Sequence, residues 1–303
     1  MTDSDPHRRA NRTGILMMCA TMACFMVNDT LVKVASESMP TAQLIFVRGV
    51  MASLLIYLVA RSMGATGRLP EAARGWVAGR AVVDAVASVV YLAALFKLPL
   101  ANATAINLAS PLFITLLAIL FLRERVGWFR WSAIIAGFIG VLLVIQPHGA
   151  GFNAWSLLCL SATVLHAVRD LATRRIPLGF PAILVTFSTA VAVTLLAGAL
   201  SLVEGWRGFG LREFGILAVA SVFLAVGYYC LIVAMREGEV SVVSPFRYTG
   251  ILWAILLGYL VWGDTPNLLA QAGIALLIAS GLTMLYRERL RGAGARRQPP
   301  QAG

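Results

Sequence analysis

Acidic residues are scarce, with 14 Asp and Glu against 25 Lys and Arg in 303 residues, and charged residues of both signs make up only 13% of the chain. Beside 59% hydrophobic residues, so few charges leave too little polar surface to cover a soluble globule of this length. Histidine is nearly absent, at three. The four cysteines, Cys19, Cys24, Cys159 and Cys230, all fall inside apolar stretches without CxxC or Cys/His spacing, so neither a zinc site nor a disulfide framework is expected. No HExxH, GxSxG, GxxxxGK[ST] or aspartate-rich metal pair occurs. Hydrolytic, ATP-driven and metal-dependent chemistries therefore have no recognisable motif, and no metal or cofactor is expected. Gly149-Ala150-Gly151-Phe152-Asn153-Ala154 fits GxGxxA by letters but follows an apolar span, where dinucleotide binding needs a strand. The competing class is a membrane-embedded enzyme built on scattered Asp and Arg.

Apolar stretches fill the chain instead. They lie at 14–33, 42–60, 76–96, 102–121, 131–147, 154–173, 181–203, 214–235, 240–262 and 268–286, each near the ~20 residues a helix needs to cross about 30 Å of hydrocarbon. The expected fold is an all-α membrane protein of ten transmembrane helices in two inverted five-helix repeats. Its segments are a first repeat over 14–147, a second over 154–286 and a disordered basic cytoplasmic tail over 287–303.

The net charge of +11 is a matter of topology. With the N-terminus in the cytoplasm, eighteen basic residues outside the spans, from Arg8 to Arg297, fall on the inner side. Lys33, Lys97, Arg207 and Arg212 fall outside. This positive-inside bias puts both termini of a multi-pass inner-membrane protein in the cytoplasm, and nucleic acid is not an expected partner.

A shift of about 140 residues lays the chain over itself. Residues 94–124 pair without a gap against 234–264, while a shift of 141 sets Asp29 on Asp170, Pro40 on Pro181, Asn28 on Arg169 and Arg48 on Thr189. Two five-span halves enter a bilayer with opposite orientation, which is the frame of many secondary transporters.

Charges within the spans mark the candidate site, because an ionised side chain at mid-bilayer costs roughly 2.5–3.5 kcal/mol and must face protein or a water-filled cavity. Asn28 and Asp29 near the outer end of the first span and Arg48 in the second form one group, in which Asp29 and Arg48 are placed to pair. Arg80 and Asp84 on the third span, Arg169 and Asp170 on the sixth, and Arg247 beside Tyr248 on the ninth form a second group toward the other end. Alternate breaking of two such clusters would give two gates. Pro111 and Pro245 remove backbone donors and free the carbonyls of Asn107 and Ser241, so both kinks are expected to face inward. His166, one turn before Asp170, and Asp170 itself are candidates for coupling a proton. Ala136 with Gly140, and Ala275 with Ala279, allow the fifth and tenth spans to approach neighbours closely. Trp253, deep in the ninth span, is a candidate for stacking on a solute.

Several stretches together resemble the drug/metabolite transporter superfamily of EamA type, over nearly everything from Gly14 to Tyr286. They are Asn28-Asp29 with Lys33, Phe46-Val47-Arg48-Gly49, Ser110-Pro111-Leu112-Phe113, Arg123-Glu124-Arg125 before Trp131 and Gly137-Phe138-Ile139-Gly140, and Pro245-Phe246-Arg247-Tyr248. In look the chain is similar to the branch of S-adenosylmethionine and riboflavin transporters. The resemblance implies a central cavity lined by the first four spans of each half, supported by the fifth and tenth. It also implies Asn28, Asp29, Arg48, Asn107, Arg247 and Tyr248 as residues that contact or gate the solute. Members carry amino acids, nucleotide-related metabolites, vitamins or metallophores, and many export. The expected function is alternating-access transport of a small zwitterionic or carboxylate-bearing metabolite, with export favoured, for instance of an amino-acid-like product or an opine-type metallophore. Uptake of S-adenosylmethionine or riboflavin is the alternative.

Overall fold

The computed structural model describes residues 6–122, 127–147, 153–177, 179–237 and 239–295, and among these every regular element is a helix. Arg123-Glu124-Arg125 and most of the Gly149 stretch lie outside the described residues. The first half holds α1 (Pro6–Ala35), α2 (Thr41–Ser62), the short α3 (Leu69–Ala72), α4 (Gly75–Leu95), α5 (Leu100–Asn107), α6 (Ser110–Leu122) and α7 (Trp128–Ile145). The second holds α8 (Trp155–Thr173), α9 (Ala182–Glu204), α10 (Leu211–Glu237), the short α11 (Val240–Val243), α12 (Thr249–Trp262) and α13 (Leu268–Ala295).

Local sequence sets the boundaries. Pro40, Pro99 and Pro181 stand at the N-caps of α2, α5 and α9, where a fixed φ suits helix entry and no amide donor is needed. Gly263 closes α12 at φ 71°, donating to Tyr259 O (2.9 Å), while Asp264 N donates to Gly258 O (3.2 Å). That left-handed closure suits glycine. The expected fourth span is two helices, α5 and α6, broken just before Pro111. The expected ninth is α11, a 3-10 segment Ser244–Tyr248 around Pro245, and α12. Among the described residues, six helical stretches are long and apolar enough to cross a membrane by length and composition alone, and shorter apolar helices cover Trp131–Ile145 and Leu268–Thr283. The disordered tail expected from 287 is corrected for its first part: α13 continues to Ala295, because Arg287-Glu288-Arg289-Leu290-Arg291 are all good helix formers. Residues 296–303 lie outside the described set.

The strongest helix contacts nearly all join the halves. α1 packs along α10 and α4 along α8; α4 meets α9 and α2 meets α10; α1 meets α12 and α6 meets α8. Each pair is the image of the next when first-half columns are exchanged for their second-half counterparts. α2 with α9, α7 with α13 and α5 with α12 are their own images. A two-fold relation between the halves produces this pattern.

Polarity is distributed inside out. Leu54, Leu195, Leu252 and Leu260 are 59–68% exposed, while Asn28, Asp84, Thr163 and His166 are buried. In water such a surface would aggregate; against lipid it is the outer wall of a multi-pass membrane protein.

α7 and α13 touch through glycines. A Cβ on Gly140 would lie 2.8 Å from the Gly273 carbonyl oxygen, and one on Gly273 would lie 2.6 Å from that of Gly140. The expected small-residue approach of the fifth and tenth spans is thus made by Gly140 with Gly273 rather than within Ala275 and Ala279. Backbone cannot yield as a side-chain tip does, and overpacking typically costs ~1–3 kcal/mol. Gly273→Val is therefore expected to lower the thermal unfolding midpoint in detergent by several degrees. An unchanged midpoint would contradict this packing.

Candidate functional site

Two polar clusters occupy the interior of the bundle. Among the described residues, one end of the bundle carries Arg12, Arg61, Arg68, Arg74, Arg174 and Arg175, and the other Lys33, Lys97, Arg207 and Arg212.

The first cluster lies toward the arginine-poor end, where α1 and α2 face each other. Arg48, 7% exposed, donates from Nη1 to Asn28 Oδ1 (3.1 Å), and Asn28 Nδ2 donates to Asp29 Oδ1 (2.9 Å). Arg48 and Asp29, expected to pair, are thus joined through the Asn28 carboxamide. Tyr91 Oη donates to Asp29 Oδ2 over a long 3.5 Å, and Arg48 Nε is buried without a hydrogen-bond partner. Ser221 Oγ on α10 shares its proton between the Leu217 carbonyl of its own helix (2.8 Å) and the Arg48 carbonyl (3.2 Å), a contact from the second half.

The second cluster is saturated. Arg169 Nη1 meets Asp84 Oδ1 at 2.8 Å, Arg169 Nη2 meets Asp170 Oδ1 at 2.8 Å, and Arg80 Nη1 meets Asp84 Oδ2 at 3.2 Å. Arg80 also donates from Nε to Thr173 Oγ1 (3.0 Å) and from Nη1 to Thr189 Oγ1. Two arginines and two aspartates, crossing between α4, α8 and α9, leave no guanidinium short of a carboxylate.

Between the clusters stand Tyr91 and His166, with ring centroids 5.9 Å apart. His166 Nδ1 hydrogen-bonds Asn107 Oδ1 (2.9 Å). Cys159, Thr163 and His166 lie on one face of α8 and serve the broken fourth span. Cys159 Sγ approaches the Ala103 carbonyl (3.6 Å) and Thr163 Oγ1 donates to that of Ile106 (3.4 Å). Interrupted backbone inside a membrane needs partners of this kind.

Asn28, Asp29 and Arg48 are thus together, as are Asp84, Arg169 and Asp170, with His166 and Asn107 between. Arg247 is different. It is exposed in the 3-10 segment, and no ion pair or hydrogen bond joins it to the cluster with which it was grouped. The tighter winding after Pro245 changes the α-helical register and turns Tyr248 inward instead. Tyr248 is buried against Gly281 of α13, away from both clusters. Trp253 is 38% exposed on α12, which does not suit a stacking platform. Tyr91 was missed, although it lies seven residues, two helical turns, beyond Asp84 on one face of α4.

The arginine-poor end is tied shut between the halves. Glu204, at the end of α9, accepts from Thr41 N (2.9 Å) and Ala42 N (2.5 Å) at the start of α2, an anion on a helix N-terminus. Gln43 Nε2 donates to the Arg207 carbonyl (2.8 Å) and Gln43 Oε1 accepts from Arg207 N (2.9 Å). Lys33 Nζ donates to the Leu98 carbonyl and lies 4.6 Å from the centre of the Trp262 ring. By the repeat the counterparts of Glu204 and Gln43 are Met63 and Leu184, and the other end is joined by different residues, with Arg68 Nη1 donating to the Gly179 carbonyl (2.9 Å) and its guanidinium over the Phe180 ring. Side-chain exposure is 30% for Asp170 and 20% for Arg169 but only 4% for Asp84, so solvent reaches the second cluster from the arginine-rich side and fades inward.

The sequence pattern of the EamA-like transporter family matches residues 12–146 and 153–286. The chain is 28% identical over 278 residues to the pseudopaline exporter of Pseudomonas aeruginosa, covering 90% of this chain and 96% of that protein. It is 30% identical over 212 residues to the riboflavin transporter of Rhizobium johnstonii, covering 70% of each. With the S-adenosylmethionine uptake transporter of Rickettsia bellii it shares 25% over 191 residues, covering 63% of this chain and 65% of that one. A solved crystal structure superposes with a TM-score of 0.64 at 16% identity, covering 92% of this chain and 99% of the other, which bears on the fold alone. With saturated and unsaturated charge clusters enclosed by an apolar wall, and with both halves matched, the chain belongs to the EamA-like transporter family and is a membrane transporter of a small metabolite, not an enzyme.

Proposed function

We propose that the solute is a small zwitterion or carboxylate-bearing metabolite, held between Arg48 and Asp29 and moved by alternating access across a bacterial inner membrane with both chain termini in the cytoplasm. One observation carries the reading: Arg48 is a deeply buried guanidinium with an unpartnered Nε, whereas the arginines of the second cluster already hold carboxylates. A buried guanidinium favours bidentate pairing with a carboxylate. Asp29, served by Asn28 and only distantly by Tyr91, suits a cationic amine. The two clusters hold Arg48, Arg80 and Arg169 against Asp29, Asp84 and Asp170, so a solute of zero net charge leaves the balance within them undisturbed.

The Arg80–Asp84–Arg169–Asp170 network is the cytoplasmic gate, and the Glu204 and Gln43 latch closes the outer side. His166 and Asp170, between solute and cytoplasmic solvent, are the groups for a coupling proton. Export is favoured, because a relative named as an exporter aligns over 96% of its own length. Arg247, Tyr248 and Asn107 act through the kinks at Pro245 and Pro111, on which the fourth and ninth columns bend.

The reading is tested in sealed vesicles carrying the full chain, by following a pooled set of labelled amino acids and S-adenosylmethionine. Export predicts solute accumulation in inside-out vesicles; accumulation only in right-side-out vesicles would contradict it. Glu204→Ala is expected to raise several-fold the rate at which a membrane-impermeant maleimide labels Cys introduced at Ala42, and an unchanged rate would remove the latch from the outer gate.

A further inference from the structure

The Asn28 carboxamide has the polarity of a zwitterion. Its oxygen accepts from the Arg48 guanidinium at 3.1 Å and its nitrogen donates to the Asp29 carboxylate at 2.9 Å. A carboxylate facing Arg48 and an ammonium facing Asp29 would present acceptor and donor in the same order. The match is incomplete in a telling way. The amide oxygen engages Nη1 alone, with Arg48 Nε on the far edge buried and unpartnered, while a carboxylate has two oxygens and can take Nη1 and Nη2 together. On the other side, Asp29 Oδ2 has only the long 3.5 Å contact from Tyr91 Oη, short of what an ammonium supplies. In the second half the position of Asn28 is taken by Arg169, which meets Asp170 and Asp84 directly. The wedge of amide between cation and carboxylate belongs to the first half alone.

We infer that Asn28 is an internal stand-in for the head group of the solute: its carboxamide keeps Arg48 and Asp29 apart in a half-satisfied state, and the solute binds by displacing it. The inference rests on the proposed Arg48–Asp29 site and deepens it. Asn28 thereby sets specificity, since only a group that serves both charges better than one amide can replace it, and a solute with a carboxylate alone or an amine alone leaves one partner worse served. It also keeps the two charges from collapsing into a direct ion pair. Its own burial, at 2% exposed, means that displacement requires the α1 side chain to rotate toward Tyr91 or toward the α2 backbone. The solute therefore competes with a group of the protein itself, and removal of the amide uncovers Arg48.

Acetate, the smallest carboxylate, tests this without knowledge of the natural solute. The full-length protein in detergent is melted in acetate and in chloride at equal ionic strength, for the wild type, Asn28→Ala, Asn28→Ser, Asn28→Asp and the double variant Asn28→Ala with Arg48→Gln. Acetate is expected to raise the midpoint of Asn28→Ala and of Asn28→Ser by about 2 °C or more over chloride. The wild type, Asn28→Asp and the double variant should not respond. The serine variant, with a polar group too short to bridge both charges, serves if the alanine variant does not fold. An equal acetate shift in the wild type would overturn the inference, since the amide would then not stand in the way. No shift in either single variant would overturn it as well, and an undiminished shift in the double variant would place acetate elsewhere. None of these outcomes depends on transport, so they are distinct from a failure of the proposed function, which is read from Arg48 variants in vesicles.

Discussion

Asp84→Asn is expected to cost about 3–5 kcal/mol, the range for breaking a buried ion pair from one side, and to strip most of the folded protein from the membrane. Asp84 is 3% exposed and its two oxygens hold different arginines, Arg169 at 2.8 Å and Arg80 at 3.2 Å. Asparagine is nearly isosteric, so the loss is one of charge. Arg169 keeps Asp170, and Arg80 keeps the hydroxyls of Thr173 and Thr189, but two cations would then share one carboxylate in a site that lipid surrounds. The cost comes from the uncompensated charge, so a second substitution that removes a cation should recover part of it. Arg169→Gln added to Asp84→Asn is expected to be more stable than Asp84→Asn alone, a coupling that a double-mutant cycle on unfolding midpoints measures. An unperturbed Asp84→Asn midpoint would sink this account of the second cluster.

Arg48→Ala has a different profile. Here the loss of stability should be smaller than in Asp84→Asn, because Arg48 reaches Asp29 only through Asn28 and its Nε is already unpartnered. Transport should fall tenfold or more, the loss of about 1.4 kcal/mol or more of binding. Arg48→Lys is expected to recover little, since an ammonium on a flexible stem lacks the planar two-donor edge. The packing of α2 on α10 does not depend on the Arg48 side chain and should persist in either variant. Full transport by Arg48→Ala would remove the proposed anchor, and equal loss of transport and folded protein would make Arg48 structural.

The contrast between the clusters was only partly legible in the sequence. Spacing placed Arg80 and Asp84 on one helix turn and put Arg48 deep in an apolar span, because both follow from local periodicity and hydropathy. The repeat offset singled out Asn28 against Arg169, and the two positions do differ as that mismatch suggests. The amide wedge was not legible. Whether Asp29 reaches Arg48 directly or through Asn28 depends on the approach of α1 to α2, which no local pattern encodes. Arg247 was placed by counting α-helical residues through Pro245, and the 3-10 winding of Ser244–Tyr248 invalidates that count. Glu204 carries no local signal for a role in closure. Its role as a cap on α2, 162 residues away, comes from the packing of α2 on α9. Tyr91 shares a face of α4 with Asp84, but only the fold brings Asp29 and His166 to it.

The central claim is that Arg48 and Asp29 together hold a zwitterion, and it is met most directly by letting the protein choose. Vesicles containing the wild type or Arg48→Ala are loaded with a pooled extract of small metabolites, and efflux is followed by mass spectrometry. The account predicts that the solutes lost from wild-type vesicles but retained by Arg48→Ala all carry a carboxylate, and that most also carry a cationic amine. Selective loss of solutes without a carboxylate, or the same efflux from both sets of vesicles, would contradict it.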